Sequence, residues 1–178
     1  MLKITSSFLT RDQFKKKQYD NFEDETFFLS VDRKKFKLWL KFKISSKYYC
    51  YCFDDKILLT YEEFSESKHS KIIQDINKGN ILFKPTKKQL SDCAFGSLKV
   101  GDCYKIKETG YTYRGESAQN DYDREYRLSH NMKLSNKIEL CISYPFYNSF
   151  GIQAYETDCS LDDYVIPFEA SMDYKILI

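Results

Sequence analysis

The sequence predicts an α+β fold: a mainly antiparallel, curved β-sheet with one to three helices packed on it. Three observations carry this. Residues 36–44 read FKLWLKFKI, in which Phe36, Leu38, Leu40, Phe42 and Ile44 alternate with Lys37, Trp39, Lys41 and Lys43. That two-residue period is the signature of a half-buried strand. Residues 26–61 hold four such runs joined by short polar turns, too short for a parallel crossover, so they form an antiparallel meander. Beyond them, Thr60 and Glu63 match a capping box that opens a stretch with helical spacing of apolar residues.

Taken in order, the chain begins with a short strand from Leu2 to Thr5, followed by a weakly patterned helix around Phe14, Tyr19 and Phe22. TFFLSV (26–31) is a strand, 32–35 a turn, and 36–44 the organising strand. Ser45 and Ser46 reverse the chain into KYYCYCF, and Asp54 and Asp55 reverse it into KILLTY. The capping box opens a helix that places Phe64, Ile72, Ile73 and Ile76 on one face and closes at Gly79. ILFK is a short strand stopped by Pro85, and Thr86 with Gln89 starts a second helix ending near Gly96. Strands return in SLKVGDCYKIKE, with its turn at Gly101 and Asp102, and in GYTYR. The polar segment 115–136 is a loop or a helix capped by Ser117. KIELCISY alternates cleanly, and GIQAYET, YVIPF and DYKILI supply further short strands.

The 178 residues are read as one globular domain, 1–178, since domains usually hold about 100–150 residues. No apolar run approaches the ~20 residues of a membrane helix, and the N-terminus lacks the core of a secretory signal. The expectation is therefore a cytoplasmic protein with no membrane partner. Six cysteines, Cys50, Cys52, Cys93, Cys103, Cys141 and Cys159, are then free and mostly buried thiols. Cys50 and Cys52 lack the second pair or the histidines of a zinc site, and no cofactor or metal is expected. Gly-rich phosphate loops, HExxH and GxSxG are absent from the sequence.

The formal net charge is +2, yet residues 1–90 carry +7 and residues 91–178 carry −5. Such polarity steers partners. Two surfaces follow. Toward the C-terminus, Tyr155, Glu156, Asp158, Asp162, Asp163 and Tyr164 mix acids with aromatics, as does Asp173 further on. Acids steer approach to a basic surface, and aromatics anchor an interface. On the organising strand, Lys37, Trp39, Lys41 and Lys43, with Tyr49 and Tyr51 on the neighbouring strand, combine cations for phosphates with rings for base stacking.

Three functions are carried forward from these surfaces. The first is a small non-catalytic inhibitor or adaptor, of the type phages and mobile elements encode. It binds a protein partner, a basic nucleic-acid-handling protein being the natural choice, through the acidic aromatic surface. The second is a nucleic-acid-binding module using the lysine and tryptophan face. The third is a metal-dependent enzyme acting on nucleotides or nucleic acid, with Glu108, Glu116, Asp121, Asp123 and Glu125 in its site.

Overall fold

A computed structural model describes residues 2–9, 26–68, 72–76, 80–106, 130–142 and 152–177. The described chain is mostly strand: thirteen strands and one α-helix of six residues, with a 3₁₀ turn at Phe95–Ser97. The expected α+β class with one to three packed helices is thereby corrected to a mostly-β architecture. Contacts gather the chain into two compact units, Leu2–Lys84 with Ser171–Ile178, and Pro85–Ala170.

The first unit holds β1 (Leu2–Leu9), β2 (Thr26–Asp32), β3 (Lys35–Ile44), β4 (Lys47–Cys52), β5 (Ile57–Thr60), α1 (Tyr61–Glu66) and β6 (Ile72–Ile76). Five of its strands form one antiparallel sheet in the order β5-β4-β3-β2-β6. The meander expected over 26–61 is present, and its turns explain its register. Asp32 pairs with Lys35, leaving Arg33 and Lys34 as a two-residue loop whose φ values of 48° and 69° are both left-handed, as a type I′ hairpin requires. Ser45 and Lys56, each at φ 55°, make the next two reversals.

The middle of β3 is buried on both sides. Leu38, Leu40 and Phe42 share one face with Phe27, Leu29 and Tyr51, and all six are buried. The opposite face packs Trp39 among Phe28, Cys50, Cys52 and Phe64, with Ile57 and Leu59 at the margin. Phe64 comes from α1, so this short helix is the lid that closes the second face. Phe36, expected in the core, is instead 40% exposed at the hairpin end.

The second unit holds β8 (Cys93–Ala94), β9 (Cys103–Ile106), β10 (Asn131–Lys133), β11 (Ile138–Ile142) and β12 (Ile152–Glu156). β7 (Ile81–Gln89) and β13 (Tyr164–Leu177) belong partly to each unit. Strand order runs β13-β9-β10-β11-β12, with β7 and β8 also pairing to β13, and β1 on the far side of β13. Phe95, Leu98, Tyr104 and Val165 form the core beside Cys93, Ile106 and Cys159. β11 does not alternate: Glu139 and Cys141 are buried along with Ile138, Leu140 and Ile142.

Two expected helices give way to strands, the first after six residues and the second from its start. The first starts as expected, with Thr60 Oγ1 accepting from Glu63 N–H and the Glu63 carboxylate accepting from Thr60 N–H. It stops at Glu66, where the Ser67 hydroxyl donates to Phe64 C=O at 2.7 Å, and residues 72–76 pair with β2. β-branched isoleucines satisfy their backbone better on that open sheet edge than in a helix. The second expected helix, from Thr86, is the continuation of β7 through Pro85, recruited by β13. YVIPF and DYKILI are likewise one strand, β13. The expected helix near Phe14, the GYTYR strand and most of the polar segment 115–136 fall outside the described residues.

Candidate functional site

The acidic, aromatic segment stands on the second unit, from β12 into β13. Tyr155 and Glu156 close β12, where Glu139 pairs with Tyr155 and Ile138 with Glu156. The connection to β13 is then pinned to the unit by backbone bonds. Gly96 N–H donates to Leu161 C=O at 2.8 Å, and Phe95 N–H donates to Asp163 C=O at 2.7 Å. Within the loop, Ser160 N–H donates to the Asp163 carboxylate at 2.8 Å, and Asp163 N–H returns to Ser160 C=O at 3.1 Å. A tight turn tied at both ends presents its side chains outward with little conformational entropy left to lose.

Those side chains are the ones the sequence nominates. Tyr155, Glu156, Asp158, Asp162, Asp163 and Tyr164 are all exposed, Tyr164 by 63% and Tyr155 by 37%. Leu161, 51% exposed at the crest of the turn, is an addition; its apolar chain in an acidic run gave no sequence signal of its own. Asp173, by contrast, is half-buried on the first unit and accepts from the Thr5 hydroxyl at 3.3 Å.

Beneath this segment lies a buried polar network. Tyr104 donates its hydroxyl proton to the Glu139 carboxylate at 2.5 Å, and the Thr157 hydroxyl donates to the same oxygen at 3.2 Å. Burial, and then the Glu139 charge, push the Tyr104 phenol far above its usual range. The phenol is therefore a permanent donor. Lys133, also buried, donates through Nζ to the carbonyls of Phe95 and Leu98, each at 2.9 Å, and lies 4.5 Å from the Phe95 ring centre. It neutralises the carbonyl ends of the turn on which Gly96 receives Leu161. Both networks lie beneath the segment and act as supports.

The lysine and tryptophan face is dismantled and partly rebuilt. Trp39 is fully buried, parallel to Phe28 at 6.2 Å and edge-on to Phe64 at 4.9 Å, with its indole N–H donated to Ser30 Oγ at 2.8 Å. It cannot stack on a base, which corrects the expectation for that residue. Lys37 is engaged by Asp32 at 3.3 Å and by Asp55. Tyr51 is buried as well. Lys41 and Lys43 remain at the far end of the strand, where Tyr48 and Tyr61, which sequence reasoning passed over, stand 43% and 39% exposed.

Burial pushes the thiols of Cys50 and Cys52 up to about 12, so neither supplies a thiolate at neutral pH. All six cysteines are free. Among the described residues no cluster of His, Cys, Asp and Glu is suited to a metal ion. Glu108, Glu116, Asp121, Asp123 and Glu125 lie outside the described residues, as does His69. No helix among the described residues is long and apolar enough to cross a membrane. Set against family models, curated proteins and solved structures, the chain matches none of them.

Proposed function

We propose that this chain is a non-catalytic binding protein that docks the segment 155–164 on a basic surface of a protein partner in the cytoplasm. One observation carries the reading: four exposed acids and the exposed Tyr155, Leu161 and Tyr164 share a single run whose backbone is tied to β8 and its following turn. Acids of this density speed the encounter with a cationic surface, and rings held by a rigid turn bury area at low entropic cost. A protein that ordinarily handles nucleic acid offers the basic surface this segment complements.

The test is a pull-down with the tagged full chain from nuclease-treated lysate, comparing the parent with Asp162→Lys/Tyr164→Ser. Asp163 is left in place because its carboxylate holds the turn. A stoichiometric protein whose recovery falls at least about tenfold with the variant supports the reading, tenfold corresponding to about 1.4 kcal/mol of binding. Equal recovery by both proteins removes it.

A further inference from the structure

We propose a second binding surface, on the first unit: a cation–aromatic patch of Lys41, Lys43, Tyr48 and Tyr61 that takes single-stranded nucleic acid. Residues 33–47 contain seven basic residues and no acid. Lys37 is spent on Asp32 and Asp55. Lys41, Lys43 and Lys47 make no ion pair of that kind among the described residues. Lys43 and Tyr48 are direct cross-strand partners, so they share a face, and Lys41 lies two residues along on the same side.

The geometry is tight. The Lys41 ammonium sits 4.2 Å from the Tyr61 ring centre and 5.1 Å from that of Tyr48, and the Lys43 ammonium lies 5.5 Å from Tyr48. Lys47, the cross-strand partner of Ile44, stands on the other face of the hairpin, 5.8 Å from the Tyr49 ring, and is no part of the patch. Cation–π contact orders these flexible side chains before any ligand arrives, while each tyrosine keeps about two-fifths of its surface open. The carboxylates that border the patch belong to α1. Glu63 is occupied as the capping acceptor of Thr60, and Glu62 is exposed beside it.

The ligand this fits carries negative charges at short intervals together with flat faces that stack. Single-stranded DNA or RNA supplies both, phosphates for the lysines and unpaired bases for Tyr48 and Tyr61. An acidic peptide answers the charge and leaves the rings unused, and a duplex hides its base faces. The surface thus takes over the role that the buried Trp39 cannot play, with rings from β4 and α1 in its place.

The experiment is fluorescence anisotropy of a labelled oligothymidylate of about 15 nucleotides with the full chain at about 50 to 200 mM salt, alongside heparin, a polyanion without bases. Affinity that falls with salt supports the proposal. So does a log–log slope flattened by about 1.4 in Lys41→Gln/Lys43→Gln, at about 0.7 per phosphate contact. Tyr48→Ala is expected to weaken oligothymidylate at least about fivefold while sparing heparin. If circular dichroism shows that variant unfolded, Tyr61→Ala is read in its place. No binding at low salt, equal affinity for a duplex, or equal loss of heparin and oligothymidylate in the tyrosine variant overturns it. The assay uses no protein partner, so its outcome is separate from that of the acidic segment.

Discussion

Trp39 and His130 show how burial reassigns a side chain. Trp39 sits in a lysine-rich alternation, yet Phe28, Phe64 and the indole bond to Ser30 make it a core residue. His130 lies at the start of β10, edge-on to Phe168 with ring centres 5.0 Å apart. Burial, and then the charge of Lys105, lower its pKa from 6.5 to about 4. In the unfolded chain the same imidazole protonates near its ordinary value. Between those two values the unfolded state binds more protons, so stability rises with pH through the window and is lost as pH falls. Thermal melts between about pH 7 and about pH 4.5 are expected to show a falling Tm, and His130→Leu a visibly smaller fall. An identical pH dependence in the variant would refute this role for the imidazole.

Elements here are set by what pairs with them. The capping box at Thr60 starts α1, but the helix cannot extend through residues that pair with β2, and it ends after six residues. The loop from β12 to β13 depends on one glycine. A Cβ at Gly96 would stand 3.0 Å from the Leu161 carbonyl oxygen and 3.2 Å from Leu161 Cβ, against the backbone that Gly96 N–H holds. Gly96→Val should therefore push residue 161 away, lowering stability by about 1–3 kcal/mol in urea denaturation. The same variant should reduce partner capture by the acidic segment. Full stability and unchanged capture together would show that the loop does not need this contact.

Over the whole molecule, charge and thiol chemistry are both segregated. Basic residues dominate the first half and acids the second, so the two proposed surfaces attract partners of opposite sign. Cys50, Cys52, Cys103 and Cys141 are buried, while Cys93 and Cys159 are partly exposed, and burial together with Glu139 lifts Cys159 to about 11. Ellman's reagent near neutral pH is expected to leave the four buried thiols unreacted until denaturant is added, when all six titrate. A Tm that drops on adding reductant would contradict the free-thiol state. The sequence by itself determined the 26–61 meander, its turns and the start of α1, because alternation, a two-residue turn and a capping pair are decided by residues within a few positions of one another. It also placed the acidic aromatic run on the surface, since charge density alone resists burial. Only the tertiary structure decided that residues 72–76 are a strand and that the strand begun at Ile81 runs on through 85–89, since β2 and the distant β13 supply their backbone partners. The fate of Trp39 was decided in the same way: a strand pattern marks two faces, but which of them stays open depends on Phe64, a residue from another element that reaches across to cover one.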